Sequence, residues 1–299
     1  MQQEEQRRWQ GYTHGTPFMQ RTLVWLFKVT PLVAIYCLMA LVVPFYMLLN
    51  HKEYLAIYHF FRRRMGKGAL ASVWHVYLNH FAFGQVVLDR FASFAGRTFK
   101  VTVTGNEHFL RLCDEPGGVL MLSSHVGCFE MSGYSLHTDK KLLYALVYAG
   151  ESEVVNQGRA NRFAHCGVVT VPVRGDLSHL FVLNNALDEG QVVTMPADRI
   201  LGSSKSVRCR FMGAEAAFPM GPFATAVQKE VPVLAVMVVK VGLRHYEAHV
   251  TPLETDAAVG RRDRAKALAQ RYAEVLEDEV RQHPHQWYNF FEYWDGAIA

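Results

Sequence analysis

The chain has 299 residues, of which 50% are hydrophobic and only 19% charged, where an average soluble protein has about 25% charged. This composition excludes a disordered or collagen-like chain, and the length suffices for one large domain with a sizeable core. A formal net charge of +4 without a long Lys/Arg run argues against a nucleic-acid partner, and five scattered cysteines with no CxxC pair indicate neither a disulfide framework nor a zinc ribbon.

Residues 1–28 form a leader, followed by an uncharged apolar run over 29–49, VTPLVAIYCLMALVVPFYMLL. At about 1.5 Å per residue the run is long enough to cross about 30 Å of hydrocarbon. Glu4 and Glu5 in the leader, and the exit into Asn50-His51-Lys52, are unlike a cleaved signal peptide, so 29–50 is read as a retained membrane anchor. Pro31 suits a first helical turn and Pro44 predicts a kink, which keeps a re-entrant or in-plane helix open as the alternative to a span. Arg21 and Lys28 precede the run, whereas Lys52, Arg62, Arg63, Arg64 and Lys67 follow it. The positive-inside rule then puts everything after the anchor in the cytoplasm. The Arg62-Arg63-Arg64 triplet reads either as a solvated helix face or as a contact with an anionic membrane surface.

Residues 51–95 lack proline and place Trp74, Tyr77, Leu78, Phe81 and Val86 on one helical stripe, which predicts one or two amphipathic helices beside the membrane. Beyond them the pattern changes to short apolar runs at 99–103, 118–123, 142–147, 168–171, 191–195 and 231–239, with 247–250 as an edge strand. Helix-length polar stretches separate most of these runs, and 263–282 is a charged amphipathic helix. The alternation predicts an α/β fold over 96–299, a mixed, mainly parallel sheet covered by helices, forming one catalytic-type domain behind one anchor.

The sharpest chemical feature is Ser123-Ser124-His125-Val126-Gly127-Cys128-Phe129-Glu130, placed where a buried strand ends. Crevices at the carboxyl ends of strands are where open α/β sheets hold their ligand chemistry. His125 at such an exit can present its imidazole to a cleft, Gly127 permits a tight turn, and Glu130 one helical turn later can reach back to the ring. A carboxylate-oriented histidine that removes a proton from a hydroxyl is a general base. Three alternatives stand beside this reading: bland core structure, a Cys128 nucleophile with His125 as its base, and a metal site through His125, Glu130 and His137, whose spacing matches no recognised ligand set.

The block and its surroundings resemble the lysophospholipid acyltransferase superfamily, whose first motif is His-x4-Asp/Glu, and within it the lipid A late acyltransferases, the lauroyl and myristoyl transferases of Gram-negative inner membranes. Gly158-Arg159-Ala160-Asn161-Arg162-Phe163 is similar to the family's second block, with Val173-Arg174-Gly175-Asp176-Leu177 shortly after. The stretch from Leu187 through Gly190, Val192, Pro196 and Ala197 to Asp198 resembles the Gly-x-Val-strand-Pro-Asp block, and Phe218-Pro219-Met220-Gly221-Pro222 with Val231-Pro232-Val233 the later apolar blocks.

The resemblance implies transfer of a fatty acyl group from a thioester, with acyl carrier protein preferred over coenzyme A as its carrier, to a hydroxyl or amine of a membrane lipid such as a lipid A precursor. No cofactor or metal is implied. His125 would be the general base, Glu130 its orienting partner and the Gly127 turn an oxyanion site. Arg159, Asn161, Arg174, Asp198 and Arg199 would bind substrate, with Arg159 or Arg174 also a candidate oxyanion donor. A surface ion pair for each arginine, a turn or cap for Asn161, and a loop cap or partner of Arg199 for Asp198 are the plain structural readings. An amino-acid lipid or pigment lipid as acceptor, a lipid hydrolase and a non-catalytic membrane-anchored scaffold are the rival functions. No Gly-x-Ser-x-Gly elbow is present, which counts against a serine hydrolase.

Overall fold

The structure is a computed structural model and describes residues 16–148, 150, 153–163, 166–173, 176–200, 205–255 and 260–294. Besides the single turn Ser132–Ser135, the helices are α1 (Pro17–Val29), α2 (Leu32–Leu49), α3 (His51–His59), α4 (Ala69–Phe94), α5 (Asn106–Asp114), α6 (Glu153–Phe163), α7 (Ser178–Asp188), α8 (Met220–Lys229) and α9 (Arg261–Gln282). The strands are β1 (Lys100–Thr104), β2 (Val119–Ser123), β3 (Leu143–Val147), β4 (Val168–Pro172), β5 (Val192–Pro196), β6 (Ser206–Phe211), β7 (Ala214–Pro219), β8 (Val233–Gly242) and β9 (His245–Leu253).

Seven strands form one sheet in the order β1-β9-β8-β2-β5-β3-β4, parallel throughout except where β8 meets β9. All five residues of β2 are buried, as a strand covered on both faces requires. Its side chains alternate between two cores. Leu120 and Leu122 join Met195, Met237, Leu268 and Tyr272 on one face, whereas Val119 and Met121 join Phe109, Leu112, Val236 and Tyr246 on the other. The predicted α/β class is therefore the observed one. The stretch expected as an edge strand lies instead inside the sheet: β9 pairs antiparallel with β8 and parallel with β1, and Tyr246 and Ala248 are fully buried. A hairpin, β6 with β7, was not expected, although Val207, Cys209 and Phe211 alternate inward with Arg208 and Arg210 outward.

The apolar run folds as α2, long and apolar enough to cross a membrane by length and composition, with Leu38, Leu41, Val42, Phe45, Leu48 and Leu49 exposed along it. The leader also contains helix, α1, begun by Thr16, whose hydroxyl accepts the Met19 N–H at 3.3 Å. α2 lies along α4 rather than standing away from the domain. The Tyr36 hydroxyl donates to Asp89 of α4, which also receives the Lys240 ammonium and the Tyr246 hydroxyl. Pro44 has no N–H for the Ala40 carbonyl one turn earlier, and the Tyr77 hydroxyl of α4 donates to that carbonyl at 3.2 Å, so the break in the helical ladder is mended from outside. Of the stripe expected on α4, Val86 is buried but Trp74 is 59% exposed, and Ser72, Val76, Asn79, His80 and Asp89, also buried, lie off it.

Candidate functional site

The site is set by strand register. β2 and β5 are parallel neighbours with Ser123 opposite Pro196, so the residues two further along each strand, His125 and Asp198, leave the sheet side by side. Neighbouring strands run about 4.8 Å apart, within reach of a histidine and a short carboxylate. The imidazole Nδ1 of His125 lies 2.8 Å from Asp198 Oδ1, and the His125 backbone N–H donates to Oδ2 at 2.9 Å. An ionised carboxylate can only accept, so this bond puts the ring proton on Nδ1 and leaves the Nε2 lone pair as the basic position. Asp198 is buried and His125 keeps 17% of its side-chain surface.

Burial lowers the His125 pKa below the ordinary 6.5, and the Arg199 guanidinium lowers it further, against the pull of Asp198. Burial opposes ionisation of Asp198, but the adjacent His125 and Arg199 outweigh it and hold the carboxyl below its usual range. Both directions describe a neutral imidazole beside a charged carboxylate, the resting state of a general base.

The expected bond from Glu130 to the ring is replaced by another. Both Arg159 Nε and Nη2 donate to Glu130 Oε1, at 3.2 and 2.7 Å, and Arg90 Nε stands 3.5 Å from Oε2. The cause is local backbone. Residues 126 and 127 are non-helical, bridging to Trp287 and Val238, and helical geometry begins only with the 3-10 turn Phe129–Met131, so position 130 does not fold back over 125. Burial opposes the charge on Glu130, but Arg90 and Arg159 keep its pKa low.

Gly127 is also corrected in its role. Its φ of +58° is the left-handed region open to glycine, and a Cβ there would strike the Val238 carbonyl. Its N–H, however, donates to the Gln286 carbonyl at 2.8 Å, so it is not the oxyanion donor expected of it. Burial raises the Cys128 thiol to about 12, which removes it as a nucleophile at neutral pH.

Among the expected substrate-binding residues, Arg159 is buried against Glu130, and Arg199, 6% exposed, donates to the Tyr288 carbonyl and lies 5.7 Å from the Phe291 ring. Both therefore sit beneath the surface, engaged with protein groups. Arg174 and the side chain of Asn161 lie outside the described residues. Sequence reasoning missed the partnership of His125 with Asp198 and the support from Arg90, Tyr288 and Tyr293. The equal two-residue offset of His125 and Asp198 from the ends of two apolar runs was the available signal.

The α/β sheet thus presents a carboxylate-paired histidine at a central strand exit, with an apolar helical layer alongside. Residues 90–295 match the model of the bacterial lipid A biosynthesis acyltransferase family, a span that holds the whole sheet and both members of the His125–Asp198 pair. The chain belongs to that family and is an acyltransferase with a lipid acceptor and an acyl donor, of a bacterial, membrane-associated kind. No curated protein matches the chain.

Proposed function

We propose that the protein moves a fatty acyl chain from acyl carrier protein to a hydroxyl of a lipid A precursor at the cytoplasmic face of the bacterial inner membrane, with His125 as general base and Asp198 as its orienting acid. The observation that carries this reading is the register-fixed His125–Asp198 contact inside the family's span. His125 Nε2 takes the proton of the acceptor hydroxyl as its oxygen attacks the thioester carbonyl. The resulting imidazolium is stabilised by Asp198. Collapse of the tetrahedral oxyanion breaks the C–S bond, and the leaving thiolate takes the proton from His125. Glu130 with Arg159 and Arg90 braces the wall behind the loop, and Asn161 and Arg174 are assigned to the acceptor's phosphate. Mass spectrometry of total lipids from cells with and without the protein tests the acceptor. A lipid A species gaining one acyl mass is expected; a shift in an amino-acid lipid or pigment lipid instead would overturn the acceptor assignment.

Acyl carrier protein is an acidic folded donor, and its docking favours a basic surface. Lys205, Arg208 and Arg210 are exposed on and beside the β6–β7 hairpin, and that hairpin packs against the C-terminal segment next to His125 through Phe211 and Phe218 on Tyr293. Arg159, buried, is withdrawn from this surface. Charge reversal at Arg208 and Arg210 should raise KM for the carrier and leave kcat nearly intact. The wild-type kcat/KM should fall by at least about tenfold between about 0.05 and 0.5 M salt, over which the Debye length shrinks from about 14 to 4 Å. A flat salt profile, or equal efficiency with acyl-coenzyme A, contradicts the carrier.

The docking of α2 along α4 favours an anchor lying in the membrane plane, its exposed apolar side in lipid, with Arg62 and Arg63 of the adjacent π-turn (Phe60–Arg64) on anionic headgroups. Arg62→Glu with Arg63→Glu should weaken sedimentation with anionic vesicles and spare that with neutral ones. Equal binding by variant and wild type to anionic vesicles would remove the charge contact.

A further inference from the structure

The groups that hold the catalytic pair come mainly from a segment more than a hundred residues away in sequence from His125. After α9 the chain makes a 3-10 turn, Pro284–Gln286, and continues to Trp294 across the strand exits. Its main chain interlocks with the catalytic loop. The Gln286 carbonyl accepts the Gly127 N–H at 2.8 Å, and the Tyr288 N–H donates to the His125 carbonyl at 3.0 Å, which makes Val126 and Trp287 an antiparallel bridge pair. The other member of the pair is gripped too. The Tyr293 hydroxyl donates to the Asp198 carbonyl at 2.6 Å, and the neighbouring Arg199 guanidinium reaches the Tyr288 carbonyl.

On its far side the segment meets the helical layer at several points, His285 lying 2.7 Å from the His75 ring and Glu292 2.5 Å from His59, but its main chain is held by Asn79. Asn79, fully buried in α4, donates from the same Nδ2 to the His285 and Trp287 carbonyls, each at 3.0 Å. Its Oδ1 is buried without a hydrogen-bond partner among the described residues. A buried amide in this state is poor packing, and a leucine would fill the volume without an orphaned acceptor. Its one evident contribution is to bind the two carbonyls that flank Gln286. Two residues earlier on α4, Tyr77 bonds to α2, so α4 joins the lipid-facing helix to the segment that frames the base.

We propose that residues 284–294 are a positioning strap for the His125–Asp198 pair and that Asn79 is the positioning residue that ties this strap to the helical layer. The proposal rests on His125 being the base, and it goes further in assigning the geometry of the base to the N-terminal helices. A pair held by main-chain bonds to a second segment keeps its attack geometry only while that segment is seated, and a displacement of about 1 Å can cost about 10²-fold in rate.

The test uses the full-length protein with Asn79→Leu, which removes the donor, and Tyr293→Phe, which removes one oxygen. Three quantities are read: kcat and KM for the lipid acceptor, the acidic limb of the kcat/KM profile, and the rate at which diethyl pyrocarbonate modifies His125, located by peptide mass spectrometry. Expected are a fall in kcat of about 10- to 100-fold with KM little changed and faster modification of His125. The acidic limb should also move to higher pH, because water reaching the ring and withdrawal of Arg199 both relieve what holds His125 low; among the described residues Asp198 and Arg199 are the charged groups that act on the ring. A loss of folded protein only scales the profile and leaves the limb in place. Wild-type kcat, limb and modification rate in both variants would overturn the proposal, as would a lower kcat with an unmoved limb. Should Asn79→Leu fail to fold, Tyr293→Phe decides alone. Should the wild type acylate no lipid, the proposed function fails, and the modification rate still judges the strap: faster in the variants supports it, unchanged overturns it.

Discussion

Asp198→Asn should lower kcat/KM by about 10²- to 10⁴-fold while the protein folds and associates with membranes as the wild type does. The amide keeps the size of the carboxylate but not its charge. It can turn an NH2 toward His125 Nδ1, which stabilises the tautomer with the proton on Nε2, where the acceptor hydroxyl needs a lone pair. It also leaves the imidazolium of the transition state without its counter-charge 2.8 Å away. His125→Ala should cost a similar factor, and the double variant should be little worse than either single one, since the two residues act as a unit. Steady-state kinetics of the three purified variants checks this. Additive losses would mean that the two act separately, and near wild-type activity in Asp198→Asn would return the orienting role to another carboxylate.

Glu130→Gln should show the opposite balance, a large loss of stability with a modest loss of turnover in the molecules that remain folded. Glu130 and Arg159 are almost completely buried, at 7% and 4% side-chain exposure, and Arg90 approaches the same carboxylate. Removing one member of a buried ion pair strands charge in a low-dielectric interior and costs about 3–5 kcal/mol. For a chain of this length that corresponds to a fall in Tm of roughly 10 °C. Thermal melts beside kcat normalised to folded enzyme separate the two effects. If Glu130→Gln melts like the wild type and still loses catalysis to the extent of His125→Ala, Glu130 serves the imidazole after all.

The contrast between these two carboxylates marks how far the sequence could be read. The strands were legible because β2 and β8 are covered on both faces and so are written as apolar runs, and β5 departs from that pattern only at Thr194. The strand exit at His125 followed from the end of such a run. Its partner did not, because the neighbour of β2 is β5 rather than β3, and the order of strands in space is not the order in the chain. Assigning Glu130 to the ring assumed a helix from position 125, whereas the loop is first held out of helical geometry by its bridges to Trp287 and Val238. The alternation over 206–211 was readable as a strand and was hidden by the polar stretch before it. Nothing local distinguishes Asn79 or Tyr293, whose partners lie 206 and 95 residues away. The arginines fared unevenly for a physical reason: a positive charge near a catalytic block serves equally as a ligand or as a brace for a buried acid, and only burial tells which. Arg159 and Arg199 are buried.

A neutral His125, held by Asp198, is the proposed base that deprotonates the acceptor. The most direct measurement is kcat/KM against pH for the wild type and His125→Ala, with acyl carrier protein as donor and the lipid acceptor in vesicles. Burial and Arg199 depress the pKa of His125, so the base stays unprotonated below the ordinary 6.5, and activity is complete above that value and lost as pH falls through the depressed pKa. The wild type should therefore show an acidic limb below 6.5 that disappears in His125→Ala, leaving a low, flat rate. An identical acidic limb in His125→Ala would show that another group carries the proton and would contradict the mechanism.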